Sequence, residues 1–174
     1  MLYQKTNDKF IDQSSYPIKA ADYILENLEI DKIKLYNEYN YGSYLLYRGI
    51  PVFIDSRADL YTPEFNGVKN EKGKYEGRDI FSDFLNISSI ASYYENEFDF
   101  YGITHVITGK SSKLHMLLSR DTNYELIYKD DYFVIYRRLS AENLSTRGEI
   151  KWKKKKQKYL SLIHISEPTR LDVI

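Results

Sequence analysis

Three charged side chains at alternate positions, Asp55, Arg57 and Asp59, are the residues of this chain best suited to do chemistry. They directly follow residues 52–54, Val-Phe-Ile, which have the composition of a short strand buried on both faces. In an extended backbone, side chains at i, i+2 and i+4 point to one face. The cluster therefore predicts a polar site for a sugar, a phosphate or a metal, with Arg57 as a bidentate donor. The alternative is an internal salt-bridge cluster that fixes the loop after the strand.

A second polar segment, residues 37–41, reads Asn-Glu-Tyr-Asn-Tyr and precedes Gly42. Carbohydrate sites often combine aromatic faces with Asn and acidic groups, so Asn37 and Tyr39 join the candidate ligand-binding residues. The alternative is a half-buried rim at a strand end, where Tyr hydroxyls find partners near the surface.

Other patterns that carry chemistry are missing from the sequence. His105 and His115 lie in separate apolar runs, and neither belongs to an HxxxH or HExxH pattern, so metal binding is not expected. There is no P-loop, no dinucleotide fingerprint and no Gly-x-Ser-x-Gly elbow. We therefore predict no catalytic residue, no metal site and no cofactor within this chain.

Composition and charge narrow the class of protein. A chain of 174 residues, 43% of them apolar, suits one globular domain with a real core. Residues 1–139 contain 17 basic and 21 acidic side chains, and residues 140–174 contain the basic excess. A mildly acidic folded part argues against a nucleic-acid partner, which needs a basic face. The chain has no Cys, which excludes disulfides and thiolate metal sites.

Apolar periodicity predicts the elements that position the candidate residues. Helices are expected at 17–28, at 43–48 with Gly49 as the stop, at 80–101 as one helix or two that meet near Ser88, and through Leu118 after a cap at Ser111 or Ser112. Strands are expected at 33–38, 51–54 and 103–108, with Gly42 as a chain break and 62–78 as a loop. Residues 124–128 and 132–137 predict a terminal hairpin. The fold class is therefore α/β, a single domain in which helices flank a small mixed sheet of about four to five strands with a C-terminal β-hairpin.

The sequence divides into a polar lead-in (1–15), a soluble α/β domain (16–139), a basic tail (140–159) and residues 160–174. No run of 18 apolar residues is present, so no segment is expected to span a bilayer. Residues 160–170, LSLIHISEPTR, resemble a translated sequencing adapter, and we treat 160–174 as an artefact outside the fold. The alternative is an ordinary C-terminal strand with a Pro turn.

Five segments of the domain carry a family resemblance: YPIKAADYI, LYNEYNYGSYLLYRGIPVFIDSRADLY, DIFSDFLN, YGITHVI and YKDDYFVIYRR. Together they resemble the C-terminal soluble domain of large polytopic bacterial membrane proteins that look like GT-C type glycosyltransferases, which use lipid-linked sugar donors. In those relatives the central segment contains Gly-Gly-Tyr-Leu and then Asp-Gly-Arg. Here Ser43 and Ser56 each stand in place of one glycine.

The resemblance implies a place and a role. It implies an extracytoplasmic domain at the cell membrane, with the membrane-embedded remainder of the parent protein and a carbohydrate or lipid-linked sugar as partners. The catalytic acid of such enzymes lies on a loop between membrane helices, so no catalytic residue carries over to this chain. The implied role is therefore accessory or acceptor-binding. The competing expectation is a stand-alone soluble interaction domain.

Overall fold

A four-stranded mixed sheet in the order β1-β4-β6-β5 organises the fold. The computed structural model describes residues 11–90 and 93–139. Most of the predicted lead-in, the basic tail and the adapter-like segment lie outside the described residues. The strands are β1 (Leu35–Tyr36), β2 (Val68–Lys69), β3 (Tyr75–Glu76), β4 (His105–Gly109), β5 (Tyr124–Lys129) and β6 (Phe133–Arg138).

Six α-helices and two 3-10 turns connect these strands in the described part of the chain. The helices are α1 (Ile18–Asn27), α2 (Tyr39–Tyr47), α3 (Pro63–Asn66), α4 (Ile80–Ser89), α5 (Tyr94–Tyr101) and α6 (Lys113–Leu118). The 3-10 turns are Ile30–Lys32 and Ala58–Tyr61.

The sheet is mixed because β1 runs parallel to β4, whereas β6 runs antiparallel to both β4 and β5. The β5–β6 hairpin closes on Asp130, whose carboxylate accepts the backbone N–H groups of Tyr132 and Phe133 at 2.8 and 2.7 Å. The predicted α/β class, with a small mixed sheet, flanking helices and a C-terminal hairpin, is confirmed.

The sheet separates two apolar cores. Helices α1 and α2 cover one face, where Ile24, Leu45 and Ile107 are fully buried. Helices α4, α5 and α6 cover the other face, where Phe98 and Val106 are fully buried. Because both faces of β4 are covered, its side chains are buried at four consecutive positions instead of alternating.

The 80–101 region contains two helices, which is one of the two arrangements that the sequence predicted. Ile90 caps the C-terminus of α4 in a left-handed conformation with φ 60°, and Gly102 caps the C-terminus of α5 with φ 66°. Gly reaches this conformation without a steric cost, whereas Ile90 is held there against its preference. The predicted Ser cap is also observed, since the Ser112 hydroxyl accepts the His115 N–H at 3.0 Å.

The prediction of a strand at 51–54 was wrong, and the predicted strand at 33–38 is reduced to Leu35–Tyr36. Pro51 has no N–H to donate. The N–H of Phe53 and the carbonyl of Ile54 bond to the side chain of Asn37, at 2.8 and 2.7 Å, instead of to a neighbouring strand. The segment therefore lies beside β1 without forming a backbone ladder.

Two predicted irregular regions also contain regular structure. Gly42 was expected to break the chain but lies inside α2. A Cβ at this position would come within 2.0 Å of the Ile54 carbonyl oxygen, so the close approach of the helix to this segment requires glycine. The predicted loop at 62–78 contains α3 and the two-stranded β2–β3 sheet. Arg78, at the end of the 62–78 segment, forms ion pairs with Asp83 of α4 and Glu97 of α5.

We expect Gly42→Ala to destabilise the fold by about 3 kcal/mol, because its Cβ would overlap the Ile54 carbonyl. In an exposed helix, a Gly→Ala change stabilises the helix by about 1 kcal/mol, so the sign of the stability change at Gly42 tests the close packing. Urea denaturation measures it. Gly109→Ala, whose Cβ would meet nothing closer than 4.0 Å, is the matched control. A neutral or stabilising Gly42→Ala would contradict the packing.

We expect Tyr36→Phe to stabilise the fold by about 1 kcal/mol, because the Tyr36 hydroxyl is buried without a hydrogen-bond partner. Tyr41→Phe is the matched comparison and should destabilise by a similar amount. Its hydroxyl donates to the Ile107 carbonyl oxygen at 3.0 Å. Opposite shifts in urea midpoint are expected for the two variants, and equal shifts would contradict this assignment of partners.

Candidate functional site

Asn37 lies immediately after β1 and is fully buried. Its Oδ1 accepts the Phe53 N–H, and its Nδ2 donates to the carbonyl oxygens of Ile54 and, at 3.0 Å, Glu38. These are the bonds that a neighbouring strand would make with the 53–54 backbone. Asn37 therefore joins two chain segments, and its side-chain amide faces the protein interior.

Helix α2 follows Asn37 and packs closely against the same segment. The Tyr39 hydroxyl donates to the carbonyl oxygen of Ser56 at 3.0 Å, and the Ser43 and Ser56 hydroxyls lie 2.7 Å apart. The half-buried Tyr39 ring meets the Phe81 ring edge-on, with centroids 5.7 Å apart. Tyr39 thus lies at the boundary between the second core and the surface.

Asp55 and Arg57 form an ion pair at the end of this segment. The Asp55 carboxylate is fully buried and accepts the Arg57 N–H at 2.9 Å, while Arg57 Nη2 lies 2.6 Å from Asp55 Oδ2. Hydrogen bonds from Arg57 lower the pKa of Asp55 to about 2, and the bond to Asp55 raises the pKa of Arg57 in return. The Arg57 side chain remains 58% exposed.

Asp59 does not share a face with Asp55 and Arg57. The backbone after Arg57 turns into the 3-10 turn Ala58–Tyr61 instead of continuing extended, so the i, i+2, i+4 geometry does not apply. Asp59 is exposed in that turn. Burial raises the pKa of the neighbouring Tyr61, and the nearby Asp55 carboxylate raises it further.

The two histidines lie in different environments. His105 Nδ1 lies 2.9 Å from the Thr104 hydroxyl and its Nε2 is buried without a hydrogen-bond partner, whereas His115 Nδ1 lies 2.7 Å from the Tyr136 hydroxyl. Burial lowers the pKa of both side chains. Within residues 11–90 and 93–139, no group of three or more His, Cys, Asp or Glu side chains is arranged to hold a metal ion.

A polar cluster that sequence reasoning missed lies where the parallel strands β1 and β4 end. Glu38 Oε1 accepts the Thr108 hydroxyl at 2.5 Å and the Gly109 N–H at 3.4 Å, and the Thr108 hydroxyl also lies 2.7 Å from Ser112 Oγ. In open α/β sheets this crevice is the usual ligand position. Glu38 follows the apolar strand β1, and Thr108 lies near the end of the apolar strand β4. Only the parallel pairing of these two strands brings the two side chains together.

Comparison with family models, with curated proteins and with solved structures found no match to this chain. The resemblance to domains of GT-C type proteins therefore stays a prediction. None of the helices in the described ranges is long and apolar enough to cross a membrane.

We expect the Asp55–Arg57 pair to stabilise the fold above about pH 4 and to lose this effect as the pH falls toward 2. The reason is that the pKa of Asp55 drops from its ordinary value of 3.8 to about 2 on folding. At pH 7, Asp55→Asn should lower the free energy of unfolding by about 1 kcal/mol, allowing for solvent screening around Arg57. Urea denaturation from pH 2.5 to 7 measures this difference.

The matched control for this pH series is Asp59→Asn, which removes an exposed carboxylate two residues beyond Arg57. Its effect on stability at pH 7 should be small, because this side chain is exposed. A loss in Asp55→Asn that stays constant down to pH 2.5 would contradict the low pKa.

Proposed function

We propose that this chain is a non-catalytic extracytoplasmic domain of a polytopic membrane protein of the lipid-linked-sugar glycosyltransferase type. Its role there is accessory: it binds the acceptor or steadies the membrane-embedded part. The observation that supports an accessory role for this segment is the burial of Asp55, whose carboxylate lies 2.6 Å from Arg57 Nη2. A carboxylate bound by Arg57 with a pKa of about 2 is a poor general base near neutral pH.

The side chains that still face outward support an acceptor-binding rim. Asn37 and Asp55 are bound internally and hold the rim in place, whereas Arg57 and Asp59 are exposed and Tyr39 is half-buried. A guanidinium, a carboxylate and an aromatic edge supply the donors, acceptors and flat surface that sugar hydroxyls and rings use. In this proposal the rim faces the membrane-embedded site of the parent protein.

A stand-alone interaction domain is the second candidate, and one surface feature favours it. A groove of about 320 Å³, here called the β1-edge groove, separates residues 33–35 from residues 51–53 and is lined mainly by apolar side chains.

Genomic sequence separates the two candidates. Several in-frame apolar segments of about 20 residues upstream of Met1 support the membrane-protein proposal. A ribosome-binding site with an upstream stop codon supports the stand-alone domain.

We expect Asp59→Asn and Arg57→Lys to reduce sugar transfer by the full-length parent about tenfold. Asp59→Asn should leave the melting temperature of the domain within about 2 °C of its original value, whereas Arg57→Lys should also lower it, because Lys cannot reproduce the hydrogen bonds of Arg57 to Asp55. A single hydrogen bond to a charged group is worth about 1.5–3 kcal/mol, and the lower end of that range corresponds to about a tenfold effect. The measurement is transfer of a radiolabelled sugar from a lipid-linked donor.

The control for this experiment is Glu26→Gln, an exposed change on α1 away from the rim. It should leave both transfer and melting unchanged. If sugar transfer is unchanged in the Asp59 and Arg57 variants, the rim has no part in the function. If transfer and the cooperative melt are both lost, the role of the rim is structural.

A further inference from the structure

The chain leaves the two parallel strands β1 and β4 in opposite directions. Helix α2, which follows β1, packs on one face of the sheet, whereas α6, which follows β4, packs on the other. Divergent connections of this kind leave a crevice at the carboxyl ends of the two strands, which is the usual ligand position in open α/β sheets. The fold therefore provides a ligand position between β1 and β4 that does not use Arg57 or Asp59.

The parallel register brings Glu38 to this crevice. Tyr36 of β1 pairs with Val106 of β4. Two residues further along both strands, the same register places Glu38 opposite Thr108. The hydroxyl of Thr108, which is fully buried, and the Gly109 N–H both donate to Oε1 of Glu38, at 2.5 and 3.4 Å. The protein therefore orients this carboxylate through one oxygen and leaves the second, Oε2, for another donor.

Oε2 of Glu38 has no protein partner. Among the residues that the structure describes, no N–H or O–H group hydrogen-bonds to it, and no Lys, Arg or His side chain forms an ion pair with Glu38. The side chain is half-buried, so water screens its charge only in part. The carboxylate is thus an oriented negative charge without a counter-ion from residues 11–90 and 93–139.

Two buried tyrosines respond to this charge. Burial raises the pKa of Tyr36 and of Tyr41, and the negative charge of Glu38 raises both further. The Tyr36 hydroxyl, two residues before Glu38 in the chain, is also buried without a hydrogen-bond partner. Both effects indicate that the negative charge of the crevice is not neutralised within the described part of the chain.

The donors and acceptors in the crevice decide the class of ligand. A carboxylate only accepts hydrogen bonds, and the Thr108 and Gly109 donors are already used by Glu38. A phosphate or carboxylate ligand would meet a like charge, whereas an ammonium group supplies both N–H donors and the missing positive charge. A metal ion does not fit, because the described residues place no group of three or more His, Cys, Asp or Glu side chains there.

We propose that Oε2 of Glu38 binds a primary ammonium group in the crevice between β1 and β4. Thr108 and Gly109 act as positioning residues, which hold the carboxylate through its other oxygen. A charge-assisted hydrogen bond should give about a tenfold preference for an ammonium group over a neutral hydroxyl of the same shape. This binding does not depend on the proposed function, because it uses neither Arg57 nor Asp59.

The test titrates the full chain, labelled with ¹⁵N, with n-butylammonium chloride and follows the amide resonances of Thr108 and Gly109. We expect a saturable shift, with butan-1-ol, the neutral isostere, binding at least tenfold more weakly. Nα-acetyl-lysine methylamide is the second probe. Binding as tight as that of butylammonium identifies a lysine side chain as a suitable ligand, and weaker binding restricts the site to free amines.

Matched variants locate the binding group. Glu38→Gln keeps a carbonyl oxygen for Thr108 and Gly109 but removes the charge, so it should weaken butylammonium binding at least tenfold. Glu26→Gln and Asp59→Asn, which change exposed carboxylates elsewhere, should leave binding unaltered. If Glu38→Gln fails to fold, the relative affinity of the unaltered chain for butylammonium and butanol decides. Equal binding of these two probes, a shift without saturation, or unchanged binding in Glu38→Gln would overturn the proposal.

Discussion

The buried side-chain amide of Asn37 is the interaction on which the arrangement of the candidate site depends. It occupies the position of a strand neighbour, accepting one backbone N–H and donating to one backbone carbonyl of the 53–54 segment. A buried amide must satisfy these groups, since an unpaired one costs about 1–3 kcal/mol. The bridge therefore sets the position of the segment relative to β1 and, beyond it, of Asp55 and Arg57.

Close packing against α2 completes this arrangement. Gly42 lets the helix backbone approach the Ile54 carbonyl, and the hydroxyl of the next residue, Ser43, lies 2.7 Å from the Ser56 hydroxyl. With its backbone held on both sides, the chain enters a turn in which Arg57 folds back on Asp55. The outward part of the rim is then the half-exposed side chain of Arg57, the exposed Asp59 and the edge of Tyr39, while Asn37 and Asp55 are bonded internally.

Local patterns predicted much of the fold because the forces behind them act over a few residues. The amphipathic spacing of α1, the Ser112 cap, the Gly102 stop and the Asp130 turn each depend on neighbours in sequence. The same reasoning failed at 51–54, where an apolar run has the composition of a strand. Strand formation there depends on a backbone partner, and the partner is a side chain 16 to 17 residues away.

The sequence by itself determined the α/β class, the C-terminal hairpin and the identity of the candidate rim residues, because these follow from periodicity, turn chemistry and charge. Only the tertiary structure decided which of the rim residues are bonded internally and which are exposed. It buried Asn37 and Asp55 in internal bonds, left Arg57 and Asp59 outward, and joined Glu38 to Thr108 across 70 residues. Such outcomes depend on which distant segments become neighbours in the sheet, and a single sequence carries no local signal of that pairing.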